Sequence, residues 1–189
     1  MKSWLVIAAI LPLTFAVPFA QAQKNELAAE ATGVVDASAT NPGYGVGLQI
    51  NYAHRLVGVP GVGLFVEFPF VIGFNGTEFN VAHLQRVNYN NYFFTPGLKV
   101  KFVPGFFLSP YLAAGVGLAH FSNTGTNGAS DTTYAVDFGG GLDIKVVRFL
   151  ALRLEARDFY TPAPLLIPLS GSFGNQNNVA VSGGLVFRF

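Results

Sequence analysis

The stretch YGVGLQINYAHR, residues 44 to 55, alternates in polarity almost without fault. Tyr44, Val46, Leu48, Ile50 and Tyr52 fall in one phase, and Gly45, Gly47, Gln49, Asn51, Ala53 and Arg55 in the other. In an extended chain successive side chains point to opposite faces, so this spacing predicts a strand with one fully apolar face. The split recurs in NYFFTPGLKVKF, with Tyr92, Phe94, Leu98, Val100 and Phe102 against Asn91, Thr95, Gly97, Lys99 and Lys101. It recurs again in TYAVDFGGGLDIK, with Tyr134, Val136, Phe138, Leu142 and Ile144 against Thr133, Asp137, Gly139, Gly141, Asp143 and Lys145. Charged residues make up only 11% of the chain, where a soluble domain carries about 25%. Yet past the N-terminal segment no run supplies the roughly 20 apolar residues that a membrane helix needs. The nearest, VGLFVEFPFVIGF, contains Glu67 and Pro69. The membrane solution left to such a chain is a closed β-barrel, because closure pairs every backbone N–H and C=O away from water.

The first residues carry the three parts of a secretory signal: Lys2, an apolar stretch from Trp4 to Phe19, and the small-x-small triplet Ala20-Gln21-Ala22. Residues 1–22 are therefore expected to be a signal peptide cleaved before Gln23, leaving 23–189 as one barrel domain. Pro12, Pro18 and the triplet argue against the rival reading, a retained membrane helix. Loss of Lys2 leaves ten basic against ten acidic residues, a balance that names no nucleic-acid partner. The chain has no cysteine, so disulfides hold nothing together.

Carrying the alternation through the chain predicts eight strands, at 24–36, 43–55, 62–74, 90–102, 108–121, 132–146, 149–160 and 177–189. The first, NELAAEATGVVDA, is alanine-rich and would pass for a short helix by propensity; it is read as a strand because closure needs an even number. The connections alternate in length. LVGVPG, VPGFF and Val147-Arg148 are short, whereas ASATNPG, NGTEFNVAHLQRVNY, SNTGTNGASD and TPAPLLIPLSGSFGNQN are long. Bacterial barrels have short periplasmic turns and long extracellular loops, so both termini are expected in the periplasm.

Periodicity alone does not say which face is outside, but the charges do. The polar face holds Glu26, Glu30, Glu67, Asp137, Asp143 and Glu155 together with Arg55, Lys99, Lys101, Lys145, Arg153, Arg157 and Arg188. These are too few to solubilise an exterior, and nearly balanced for an interior of paired charges. A lumen charge network is therefore expected among Glu30, Arg55, Glu67, Lys99, Lys101, Asp137, Asp143, Lys145, Arg153, Glu155, Arg157 and Arg188. An eight-stranded barrel is just wide enough for side chains to fill it, so the core should be plugged or hold at most a thread of water.

The chain ends GGLVFRF, with Leu185, Phe187 and Phe189 alternating against Gly184, Val186 and Arg188. This ending resembles the C-terminal signal of bacterial outer-membrane barrels, and the whole chain past residue 22 resembles the small eight-stranded superfamily of OmpA-type and OmpX-type barrels. The resemblance implies an eight-stranded antiparallel up-and-down transmembrane β-barrel in a Gram-negative cell envelope, with Leu185, Phe187 and Phe189 recognised by the barrel assembly machinery. Tyr44, Tyr92, Tyr134 and Tyr160 are placed to form an aromatic girdle near the extracellular strand ends, and Tyr111 to fill the core.

Other motifs are weighed against this frame. Gly45-x-Gly47, Gly115-x-Gly117 and Gly139-Gly140-Gly141 precede no helical pattern and are read as small inward residues, not phosphate loops. In AHFSNTG, His120 and Ser122 share one side of a strand, and the string is similar to the His-x-Ser-Asn string of outer-membrane lipid A deacylases. A group that orients the histidine is weakly supplied, since Asp131 falls in a loop and Asp137 projects inward. His54 and His83 show no metal-ligand spacing, and no metal or cofactor is expected. The expected function is a structural or surface-interaction role through the extracellular loops, 75–89 and 161–176 being the longest, without enzyme activity and without an open pore. The alternatives are a lipid A deacylase using His120 and Ser122, and a narrow small-solute channel. Expected partners are outer-membrane lipids, the assembly machinery and an unidentified extracellular ligand, with the protein a monomer.

Overall fold

The computed structural model describes residues 23–37, 44–80, 85–123, 130–162 and 175–189. The candidate signal segment, and the apolar stretch Leu165, Leu166, Ile167 and Leu169 of the expected loop after the seventh strand, lie outside them. The described chain is built of strands: β1 (Asn25–Asp36), β2 (Tyr44–Val59), β3 (Val62–Asn80), β4 (Gln85–Phe94), β5 (Gly97–Phe102), β6 (Leu108–Asn123), β7 (Ser130–Val147), β8 (Leu150–Pro162) and β9 (Asn175–Arg188). All pairings are antiparallel, and the sheet closes on itself. β1 pairs with β2 on one side and with β9 on the other, where residues 26–36 run against 178–188.

Nine segments make eight barrel strands. β5 resumes against β3 and β6 the register that β4 leaves off, from Phe70↔Phe94 to Glu67↔Gly97 on one side and from Phe94↔Leu118 to Gly97↔Gly115 on the other. The break falls at Thr95-Pro96. Pro96 has no N–H to give the ladder, and on β3 Pro69 sits in the matching interval between Glu67 and Phe70. Two prolines side by side deprive both strands of donors, while the Pro96 carbonyl still accepts from Val116 N at 3.1 Å. The alanine-rich first segment is a strand, because β2 and β9 flank it along its length and tertiary pairing overrides propensity.

Two connections are shorter than the alternation indicated. β3 and β4 go on pairing from Gly76↔Tyr89 to Asn80↔Gln85, so most of 75–89 is a hairpin extension and not a loop. Thr77, Phe79, Val87 and Tyr89 are the β-branched and aromatic types that favour extension. The β2–β3 connection likewise shrinks to Pro60-Gly61, with Val59 paired to Val62 after a bulge between Arg55 and Val57. Gly61 takes φ 84° and Gly105, in the β5–β6 turn, φ 91°, positions where a side chain would be strained. Val103 in the same turn has φ 41°, which costs a β-branched residue of order 1–3 kcal/mol. It is held there by Val103 N donating to Gly61 O at 2.7 Å and by Ser109 Oγ donating to Val103 O at 3.0 Å.

The two phases separate as the charges required. Outward residues such as Leu48, Ile50, Val116, Phe138, Leu154 and Val181 are exposed, whereas Ala151, Arg153, Glu155, Arg157, Phe159 and Thr161 of β8 are buried in the lumen. The barrel therefore has two ends. The hairpin end carries the start of β1, the end of β9 and the β2–β3, β5–β6 and β7–β8 turns, and the other strand ends lie at the loop end.

Candidate functional site: a lumen closed in two layers

The half of the lumen toward the hairpin end is filled by ion pairs. Asp143 takes a two-pronged contact from Arg153, Nε to Oδ1 at 2.8 Å and Nη2 to Oδ2 at 3.1 Å, and also binds Lys101 at 2.6 Å and Arg188 at 3.0 Å. Glu26 lies between the same cations, in contact with Lys101, with Lys99 at 3.2 Å, and with Arg153 and Arg188 at 3.4 Å. One layer further in, Arg157 reaches three carboxylates: Asp137 at 2.7 Å, Glu67 at 2.8 Å and Glu155 at 3.1 Å. Lys99 links the layers, standing 3.5 Å from Glu67. Arg153 and Arg157 are each 1% exposed, so these charges have exchanged water for one another. Such an exchange is viable only when each lone pair and proton finds a partner.

Neutral groups complete the web. Tyr111 donates to Glu155 at 2.5 Å and lies in the midst of three cations, with Arg153 at 4.8 Å, Lys99 at 5.4 Å and Lys101 at 5.9 Å from its ring centre. Gly141 makes room for it, since a Cβ there would come within 2.5 Å of the Tyr111 hydroxyl. Gln49 donates to Glu155 at 2.6 Å and accepts from Ser182 at 3.1 Å, and Asn51 donates to Glu67 at 3.1 Å. Glu30 is the loosest member: its nearest cation, Arg153, is 3.8 Å away, and neither carboxylate oxygen has a hydrogen-bond partner.

Of the twelve residues expected in the lumen network, Glu30, Glu67, Lys99, Lys101, Asp137, Asp143, Arg153, Glu155, Arg157 and Arg188 meet in this web, with Glu26 as an additional hub. Arg55 and Lys145 do not. Both share the inward phase but lie at the hairpin end, past the level of the carboxylates. Arg55 folds back against Gly58, and Lys145 donates to the Gly105 carbonyl at 3.1 Å. Alternation assigns a face but not a height in the barrel, so it does not separate these two from the rest.

Toward the loop end the lumen changes character. Phe93, Phe121 and Phe159, with Val34, Val71, Ala119, Ala135 and Ala180, form a buried apolar cluster, with the buried amides of Asn91 and Asn178 opposite Phe121 and Phe159. Phe93 stacks on Phe159 at 4.5 Å and meets Phe121 edge to face at 5.9 Å. Sequence reasoning missed this layer, although it left a signal: each phenylalanine stands in the polar phase of its strand, where it breaks the alternation.

On the outer face of β6, His120 and Ser122 lie in the outward phase near the loop end, between Tyr92 and Asn90 of β4 and Thr132 and Ser130 of β7. His120 Nδ1 is 2.7 Å from Thr132 Oγ1, and its ring is 5.9 Å from that of Tyr92. A hydroxyl, and not a carboxylate, thus sits where a triad needs an orienting acid. Asp137 is committed to Arg157 inside the barrel. Among the described residues no group of His, Cys, Asp and Glu could hold a metal ion. At the C-terminus Leu185, Phe187 and Phe189 are 39%, 41% and 45% exposed on the outer face, while Arg188 turns inward to Asp143.

No protein-family model and no curated protein matches the sequence. Solved structures do match in shape. Neisserial surface protein A superposes with a TM-score of 0.64 at 16% identity over 87% of this chain and 97% of that one. Ail, the attachment invasion locus protein of Yersinia pestis, in complex with the heparin analogue sucrose octasulfate, gives 0.53 at 12% identity over 88% and 97%. The outer membrane enzyme PagL gives 0.51 at 15% identity over 85% and 99%. The shared feature is the closed eight-stranded barrel, and by that architecture the chain has the fold of the small bacterial outer-membrane β-barrels.

Proposed function

We propose that this chain spans the outer membrane of a Gram-negative bacterium as a sealed monomeric barrel, termini in the periplasm, with a structural or surface-interaction role exercised through its loop end. The observation that carries this reading is the double closure of the lumen, a buried ion-pair web backed by a phenylalanine cluster, inside an exterior that only lipid would match. Leu185, Phe187 and Phe189 act in this reading as the assembly signal.

Charge narrows the loop-end partner. Asp36, Glu78, Asp131 and Asp158 lie toward that end, against Arg86 alone among lysines and arginines, so the surface fits a neutral or cationic ligand better than a polyanion. The deacylase alternative draws on His120 and Ser122 sharing the outer face, where a lipid ester would be. It lacks the acid that would orient the histidine, and the non-enzymatic reading is preferred for that reason. The narrow-channel alternative requires a continuous water path, which two filled layers oppose. Recording from planar bilayers tests the reading: the full chain should show no steady conductance, and a steady ohmic current from the wild-type protein would overturn it.

A further inference from the structure

Among the described residues four basic side chains besides Arg86 stand outside the buried web, and all four gather at the hairpin end. Lys24 precedes β1 and its carbonyl accepts from Arg55 N at 2.7 Å. Arg55 lies beside the β2–β3 hairpin, its guanidinium against Gly58 and its Nε near Gly63, which Pro104 also flanks. Lys145 is tied to the β5–β6 turn twice, through its N–H to Phe107 O at 2.8 Å and its Nζ to Gly105 O at 3.1 Å. Arg148 occupies the β7–β8 turn. Among the described residues none of the four forms an ion pair. The six carboxylates of the lumen are committed to its own cations, and the remaining acids, Asp36, Glu78, Asp131 and Asp158, belong toward the other end.

Between these cations the same rim exposes apolar rings. Phe106 and Phe107 are 68% and 61% exposed, carried on the turn that Val103 enters at positive φ and that its hydrogen bonds hold in place. Rings so exposed need an apolar medium. Set at the boundary between acyl chains and headgroups, they would hold Lys145, Arg55, Lys24 and Arg148 at the level of lipid phosphates. The cations stand in two pairs on the rim, Lys24 with Arg55 at β1 and β2 and Lys145 with Arg148 at β7 and its turn, which suits a leaflet that surrounds the barrel better than a single docking patch.

We propose that this rim binds the headgroups of anionic phospholipids in the leaflet it faces, with the exposed Lys24 and Arg148 as the phosphate contacts, Arg55 and Lys145 at the lumen mouth adding to the positive potential at the same height, and Phe106 and Phe107 setting the depth. The proposal rests on the reading that the barrel spans a bilayer. It makes the molecule electrostatically polar across the membrane, basic at the hairpin end and acidic at the loop end.

The test uses the full chain folded into phosphatidylcholine vesicles containing traces of spin-labelled phosphatidylglycerol or spin-labelled phosphatidylcholine, with the motionally restricted boundary fraction read by electron paramagnetic resonance. At low ionic strength the anionic label should associate about threefold more strongly than the zwitterionic one, and at about 0.5 M salt the ratio should fall toward one. Replacing all four cations (Lys24→Gln, Arg55→Gln, Lys145→Gln, Arg148→Gln) should remove the preference, whereas Asp131→Asn with Asp158→Asn should preserve or raise it. If the fourfold variant does not fold, Lys24→Gln with Arg148→Gln, both exposed positions, should lower the ratio by about half, on the expectation that cations near a charged surface contribute comparably. Equal association of the two labels, the result expected if the rim meets an acidic protein instead, would overturn the proposal, as would a preference that survives the neutralised variants. Absence of a restricted fraction for both labels would be a different failure, that of the membrane-spanning reading itself.

Discussion

The two layers that close the lumen do so by opposite physics. The hairpin-end layer is held by charges whose burial is tolerable because they are paired, so its stability is a property of the set: Arg157 bridges Glu67, Asp137 and Glu155, while Lys99 and Asn51 also reach Glu67, and Gln49 and Tyr111 also reach Glu155. The loop-end layer is held by shape and dispersion among Phe93, Phe121, Phe159 and their small neighbours, contacts that are not directional. One layer should fail abruptly when a member is lost and the other gradually. That contrast also separates register from sealing, because ion pairs between distant strands discriminate among staggers, whereas an apolar plug tolerates neighbours of similar volume.

The largest effect should come from Arg157→Ala, which removes one guanidinium from three buried carboxylates at once. A loss of about 3–5 kcal/mol is expected, measured as the shift in urea midpoint for unfolding from lipid vesicles; a shift near zero would mean that water enters the layer freely. Phe93→Leu breaks the stacking on Phe159 but keeps most of the apolar volume. Its cost should be about 1 kcal/mol in the same assay, and a loss as large as that of Arg157→Ala would erase the distinction between the layers. Glu30→Gln should have the smallest effect, within about 1 kcal/mol of the wild type, because Glu30 is 3.8 Å from Arg153 and has no hydrogen bond to lose. A large destabilisation there would show that Glu30 belongs to the web as fully as Asp143 does.

The strands were legible because a barrel in lipid imposes one rule on every segment. All eight appear in the structure, including the alanine-rich β1. What misled was local. The long connection at 75–89 reads as a loop because of its polar composition, yet β3 and β4 pair across it to Asn80 and Gln85. The proline break at 95–96 is visible as a residue in the sequence, but its effect depends on Pro69 lying alongside, which only the strand register reveals. Tyr111 was assigned a place in the core but not its role there, since hydrogen bonding to Glu155 across 44 residues has no signature in either local string.

The sequence by itself determined that this chain forms strands and which face of each points outward, because side-chain alternation with period two and scarcity of charge fit a closed sheet with an apolar exterior. Tertiary structure alone decided the heights at which inward residues meet. Closing the sheet with a stagger sets Glu26 beside Arg153, 127 residues away, lifts three phenylalanines into one layer, and leaves Arg55 and Lys145 at the rim. Alternation fixes direction within a strand, but the position of one strand along the next is set only when the whole circle of hydrogen bonds closes.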